Sequence, residues 1–306
     1  MLISIIVPVF NGEKKIGRCL ASLIAIKESD IEFIIVNDGS TDETRKICEI
    51  YLQKDKRIRL INQENAGVSV ARNNGLKLAT GRYVGFADAD DEITDEFDEI
   101  LEVLKTVASD FYAFDHWVQD KYGLERRTRY RLSQGKNDKV AIYNNFLTGR
   151  SNCVWNNIYQ LDIIRENNVQ FPKNMSMGED CVFNAQYLMH CQEGVYIKKA
   201  GYKYYIDDNS SATNKRQLSH LNDFVEIYEN FQMIYKAYDN LSFPFYCPYY
   251  IDKVYEILQV NIKYMDNKDR KKFRQSAFYH SIMKYKYRNL KQWSRKWRIR
   301  FYIYFA

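Results

Sequence analysis

The first hundred residues alternate between short apolar runs and longer stretches of helical spacing. Ile3–Val9 is apolar almost throughout, an amphipathic stretch runs from Glu13 to about Ala25, and Glu32–Val36 is a second apolar run. Ser40, with Glu43 three residues on, has the form of a capping box and places there the start of a helix reaching about Leu52. Arg57–Ile61 reads as a third strand, Val68–Ala79 as a helix and Arg82–Ala87 as a fourth strand. Strands alternating with helices in this way predict βαβ units with right-handed crossovers, an α/β fold with a mostly parallel sheet flanked by helices. Ligands bind such sheets at the carboxyl ends of the strands. The polar clusters Asn11-Gly12, Asn37-Asp38-Gly39-Ser40 and Asp88-Ala89-Asp90-Asp91 all fall at those ends.

Beyond Asp110–Asp115 the alternation weakens. Residues 120–137 are polar and Arg-rich, in the manner of a long hairpin or loop, and short helices and strands surround Met177-Gly178-Glu179-Asp180. From Gln217 onward the pattern is helical. We therefore expect a catalytic domain over 1–215, divided into a nucleotide-binding half (1–100) and an acceptor half (101–215), and a C-terminal helical region over 216–306.

Composition adds one asymmetry. The 306 residues carry 45 Lys+Arg against 39 Asp+Glu, a net charge of +6. Twelve of the basic residues and none of the acidic ones lie in 270–306, leaving 33 basic against 39 acidic, or −6, in 1–269. A helix through the tail puts Leu290, Trp293, Trp297, Phe301 and Tyr304 on one face and Lys284, Arg288, Lys291, Arg295 and Arg298 on another. That profile fits an in-plane binder of an anionic membrane surface, with a helix packing its aromatic stripe on the body as the alternative. No apolar run approaches the ~20 residues that span a bilayer, and Met1–Phe10 reads as a buried strand rather than a signal peptide. The six cysteines lack CxxC spacing and predict free thiols rather than a zinc framework.

The sharpest chemical signal is Phe86-Ala87-Asp88-Ala89-Asp90-Asp91, an apolar strand ending in three carboxylates. Clustered acids repel unless a cation sits among them, and a hard divalent ion keeps waters and takes phosphate oxygens as further ligands. A solvated acidic loop capping the next helix has the same composition. Asp38, before Gly39, can accept hydrogen bonds from a base edge or ribose, or simply cap a turn. Arg72 and Asn73 sit near a helix start, where Arg72 also reads as a surface charge.

In their order and spacing, Pro8-Val9-Phe10-Asn11, Asn37-Asp38-Gly39-Ser40-Thr41-Asp42, Asn65-Ala66-Gly67 with Ala71-Arg72-Asn73, and Asp88-Ala89-Asp90-Asp91 closely resemble the family 2 inverting glycosyltransferases of GT-A fold, of the bacterial cell-surface polysaccharide type. The resemblance is dense over 1–100 and sparse over 150–210. It implies that Pro8, Val9 and Phe10, with Asp38 and Arg72, recognise the uracil of a UDP-sugar, that Glu13 opens a helix near the nucleotide, and that Asp88 contacts ribose or sugar. It implies further that Asp90 holds Mn²⁺ or Mg²⁺ against the diphosphate, that Asp180 is the general base beside Glu179, and that Trp155 with 156–159 forms an acceptor-side wall. Three positions depart from the family pattern: Phe10 stands where Tyr is frequent, Asn157 where Lys is common, and Tyr204-Tyr205-Ile206 lacks the Arg that often follows paired tyrosines.

The expected activity is a metal-dependent transfer of one sugar from a UDP-sugar to a glycan acceptor, lipid-linked at the inner face of the membrane. The protein is then cytoplasmic and peripherally attached through 270–306, with no nucleic-acid partner and with room for an oligomer. Two other classes compete. A nucleotidyltransferase would carry a Gly-rich basic loop after the first strand, where Asn11-Gly12-Glu13-Lys14-Lys15 has one glycine. A basic-tailed nucleic-acid-binding protein would use its aromatics for stacking and its Lys/Arg for phosphates.

Overall fold

The computed structural model describes residues 1–206 except 131, 148–151 and 176, and further on 222–223, 225–227, 229–230, 233, 266–276 and 279–280. The chain forms two compact units, Met1–Asn174 with Glu179–Ser211, and Met175–Gly178 with Ala212–Ala306. The expected boundary at 215 and the two stripes over 284–304 lie outside the described residues. Among the described residues no helix is long and apolar enough to cross a membrane.

In the first unit β1 (Ile3–Val9), β2 (Ile31–Asp38) and β4 (Tyr83–Phe86) are buried along their whole lengths, as strands covered by helices on both faces must be. With β3 (Ile58–Gln63) they form a parallel set in the order β3-β2-β1-β4, fixed by the registers Ile5↔Phe33 and Ile6↔Phe86. Glu32, the acid near the start of β2, is buried at no cost in unmade bonds: it accepts from Ser4 and Thr80 and pairs with Arg59 at 2.8 Å. The helices α1 (Ile16–Ile24), α2 (Thr44–Lys54), α3 (Val68–Leu78) and α4 (Glu96–Thr106) follow the expected pattern. Thus α4 turns Phe97, Ile100, Leu101 and Leu104 inward at spacings of three and four, each stabilising the fold by about 1.5–3 kcal/mol when fully buried.

Two helix starts differ from expectation. Residues 40–43 make no capping box: α2 begins at Thr44, whose N–H and hydroxyl donate to Asp42, while the Ser40 hydroxyl accepts from the Asn11 N–H at 3.0 Å. Glu13 lies in the turn ahead of α1, accepting the Glu43 N–H at 3.2 Å rather than opening the helix. In both places a polar group predicted to cap its own helix instead ties neighbouring loops together. Gly39 is obligatory in that crossing. It sits at φ +72°, and an added Cβ would lie 2.6 Å from the Asn65 nitrogen.

The sheet continues through β5 (Glu92–Ile93), β6 (Phe111–Gln119), β7 (Glu125–Thr128), β8 (Gly135–Asp138), β9 (Asn157–Gln160) and β10 (Glu193–Tyr205). Its main path is β3-β2-β1-β4-β9-β6-β10-β5, with β7 on β6 and β8 on β10. Because β9 runs antiparallel to both β4 and β6, the strands β6 and β10 point the same way as the first four. The carboxyl ends of six strands therefore share one edge. Over 138–188 come α5 (Lys139–Leu147), α6 (Leu161–Glu166) and α7 (Glu179–Leu188). In the second unit the described part includes a helix at Asn267–Gln275, with Phe273 against Tyr279 at 5.7 Å.

Candidate active site

At the carboxyl edge the chain leaves β1 through Pro8, Val9 and Phe10 into a left-handed Asn11 (φ +47°), a conformation that asparagine tolerates. The Asn11 side chain accepts the Thr41 N–H at 2.8 Å, and the Gly12 N–H donates to the Thr44 hydroxyl at 2.8 Å. These bonds lock the β1–α1 and β2–α2 loops into one wall of a cleft of about 590 Å³. Of the residues predicted for the nucleotide, Pro8, Val9, Phe10, Glu13 and Asp88 line this cleft, together with the predicted metal ligand Asp90. Phe10 is 51% exposed, its ring offered to solvent at the mouth.

Asp38 and Arg72 do not join that lining. Asp38 is buried, and its carboxylate accepts from the Gln63 side chain at 2.7 Å and from the Ala66 and Gly67 N–H groups at 2.9 and 2.8 Å. Its bonds fix the Asn65-Ala66-Gly67 loop that precedes α3. Arg72, expected beside Asp38, is committed elsewhere. The guanidinium donates to Asp88 at 2.9 Å, to Glu179 at 2.9 Å and to Asp180 at 2.8 Å, with its side chain only 4% exposed. It lies 5.2 Å from the Phe171 ring, and its Nε makes no hydrogen bond.

That cluster is electrostatically tense. Burial drives the Asp180 carboxyl up to about 7 even though Arg72 pulls it down, and Asp180 also accepts the Val154 N–H at 3.2 Å. Burial likewise raises Asp88, against Arg72 and with the charge of Asp90. Burial alone would weaken the Arg72 cation, but Asp180, Asp88 and Glu179 outweigh it and keep the group charged.

Packing delivers the two acidic segments to one place. Phe86, two residues before Asp88, meets Phe183, three after Asp180, edge-to-face at 5.7 Å, and both contact Phe171, which stacks on Phe183 at 4.1 Å. The third acid of the turn, Asp91, is buried. It accepts from the Tyr202 hydroxyl and the Tyr205 N–H, both at 2.9 Å, and burial raises it to about 8. The Tyr202 hydroxyl in turn accepts the Asp88 N–H at 2.9 Å, so the acidic turn hangs from the end of β10. Asp90 stays near the surface, with Lys15 at 3.3 Å from its carboxylate and Arg18 donating to its carbonyl.

Trp155 lies beneath the surface at 6% exposure. It stacks on Tyr202 at 4.6 Å and Tyr204 at 5.6 Å with His116 edge-on, so it backs the tyrosines rather than facing solvent. Asn157 is buried as well, and its amide donates to the Cys153 carbonyl at 2.8 Å. Sequence reading missed Lys15, Tyr202 and Tyr205 as parts of this site. Each acts on an acid 75 to 114 residues away, a pairing that local pattern does not reveal.

A divalent cation fits the donor set present. Asp88 and Asp90 both border the cleft, and hard cations of the Mg²⁺ type are held by one or two carboxylates with phosphate oxygens and water completing the shell. No group of three His, Cys, Asp or Glu able to hold a metal by itself occurs among the described residues.

The family model described as glycosyl transferase family 2 matches residues 4–166. The chain is 31% identical over 227 residues to the uncharacterised glycosyltransferase YibD of Escherichia coli K12, covering 70% of this chain and 64% of that protein. It is 34% identical over 211 residues to the uncharacterised glycosyltransferase EpsJ of Bacillus subtilis 168, covering 64% of this chain and 60% of that one. The chain thus spans about three fifths of the length of these relatives. Among solved structures, Staphylococcus aureus TarS residues 1–349 in complex with UDP-GlcNAc superposes with a TM-score of 0.66 at 22% identity, over 86% of this chain and 73% of that one. The architecture shared with such neighbours is the GT-A fold.

Proposed function

Because the chain belongs to glycosyl transferase family 2, we propose that it transfers one sugar, with inversion, from a UDP-sugar to a glycan acceptor in cell-surface polysaccharide synthesis. The observation that carries this reading is the Arg72 guanidinium, which gathers Asp88 from the end of β4 and Asp180 from the start of α7 into one site. Displacement at an anomeric carbon needs a place for the leaving diphosphate and a base for the acceptor hydroxyl, and these two segments supply one each. The UDP-GlcNAc held by TarS supports a UDP-sugar donor.

In this reading Asp180 takes the proton of the attacking hydroxyl, a contribution of typically ~10²–10⁴-fold. Arg72 holds its carboxylate in place and Glu179 shares that cation. Pro8, Val9 and Phe10 border the base, Asp38 shapes its pocket through the 65–67 loop, Asp88 meets ribose or sugar, and Trp155 supports the acceptor side. Asp90 is the ligand for Mn²⁺ or Mg²⁺, which when bound neutralises charge developing on the leaving diphosphate. A lipid-linked acceptor at the inner membrane face accounts for the basic stretch 270–306, and family membership favours transfer of sugar over the nucleotidyltransferase and nucleic-acid readings. The test is UDP release with a panel of UDP-sugars, Mn²⁺ and a lipid-pyrophosphate saccharide. We expect one donor to dominate and both Asp90→Ala and Asp180→Asn to lose turnover; full turnover in either variant removes the role assigned to that residue.

A further inference from the structure

The hairpin joining β6 to β7 leaves the sheet at the same carboxyl edge as the cleft, since β6 points the same way as β1 and β4. Its tip is rigid. Asp120 exchanges backbone bonds with Gly123 and Leu124 at 2.9 and 3.1 Å, and its side chain accepts the N–H groups of both Tyr122 and Leu124 at 2.9 Å. Gly123 supplies the positive φ, +80°, that the turn requires.

On that tip Tyr122 is 83% and Leu124 71% exposed, the most exposed large hydrophobic side chains among the described residues. Single exposed apolar residues are ordinary, but two presented together on a braced turn are not. The surrounding charge is mostly positive, four Lys/Arg against two acids over 119–129. Lys121, Arg126 and Arg129 are exposed, with the Lys121 ammonium 5.1 Å from the Tyr122 ring. The two acids of the hairpin are already engaged, Asp120 by the turn and Glu125 by Lys203 at 2.5 Å. The hairpin therefore offers an apolar pair at its tip, with Lys121 and Arg126 near that pair and Arg129 further down the same hairpin.

An anionic bilayer complements both features. Tyrosine settles at headgroup depth, a leucine beside it reaches the acyl boundary, and Lys and Arg are drawn to lipid phosphates. A tip already rigid loses little conformational freedom on docking. We propose that the 119–129 hairpin is a docking point for an anionic lipid surface, with Tyr122 and Leu124 entering the interface and Lys121, Arg126 and Arg129 facing the phosphates. It belongs to the first unit, whereas the basic stretch 270–306 belongs to the second, and it aims the cleft edge of the first unit at the bilayer.

The test uses the full chain with phosphatidylcholine vesicles, with and without phosphatidylglycerol, and a photoreactive phosphatidylglycerol whose crosslinks are mapped by peptide mass spectrometry. Neither donor nor turnover is involved, so the outcome is independent of the proposed activity. We expect crosslinks within 119–129, lost in Tyr122→Ser/Leu124→Ser. We also expect binding to the anionic vesicles to weaken by about tenfold or more in Lys121→Gln/Arg126→Gln. All four positions are exposed, and unchanged thermal melts will show that the variants fold. Failure to bind vesicles, crosslinks confined to other segments, or parental crosslinking by the serine variant would each overturn the proposal.

Discussion

Arg72 stands between two demands on Asp180. Burial lifts that carboxyl to about 7, and Arg72 is the group that opposes the rise. A general base must be ionised to act, so the acid limb of kcat/KM is expected near pH 7 and the rate rises with pH through it. Arg72→Gln removes the opposing charge, raises Asp180 further and moves the limb to higher pH; a pH–rate profile whose limb stays in place would contradict the arrangement. Stability follows the same group with the sign reversed. The folded state holds the Asp180 proton more tightly than the unfolded chain does, so from the ordinary 3.8 up to about 7 its contribution to stability falls as pH rises. At this scale the sequence was informative about residue type: Asp88 and Asp90 stand out as acids directly after a buried strand, while Asp180 was singled out through the family resemblance. It was silent about pairing. Nothing local to Arg72 distinguishes a surface charge from a buried cation shared by three carboxylates.

Elements carry that geometry through aromatic packing. Phe86, Phe171 and Phe183 come from β4, the segment after α6, and α7, and their mutual contacts set where α7 begins relative to the acidic turn. Phe183→Ala is expected to cost about 3–5 kcal/mol of stability, the usual loss for a buried phenylalanine. It should also lower kcat more than it raises KM for the donor, because the base shifts while the cleft lined by 8–15 is untouched. Thermal denaturation and steady-state kinetics check the two parts, and a stable, fully active variant would refute the packing argument. The βαβ elements of the first hundred residues were legible because period and burial agree there. Two of the helix starts were not: Ser40 and Glu13 have the chemistry of caps, but their partners come from neighbouring loops and win by tertiary placement.

For the molecule as a whole, the net charge of +6 conceals an acidic 1–269 and a basic 270–306. In the proposed reading the acids of the cleft act with a bound cation rather than as a closed metal cage. Chelation by EDTA is therefore expected to abolish turnover, with Mn²⁺ restoring it, and to leave the melting temperature of the apo chain unchanged; a large drop in that temperature would point to a structural metal instead. The parallel half was readable from the sequence because short apolar strands and amphipathic helices alternate regularly there. The mixed half was not, since β9 inserts between β4 and β6 through pairings of high sequence separation. That separation has a consequence in time. Arg72 meets Asp88 only 16 residues later, but its bonds to Glu179 and Asp180 span 107 and 108 residues. At the ribosome's ~5–20 residues per second, roughly 5–20 s separate the emergence of this cation from that of the carboxylates that neutralise it. Through that interval the first four strands can assemble while the ion pairs of Arg72 with Glu179 and Asp180 are still unmade, so the parallel part of the sheet precedes the completed cluster.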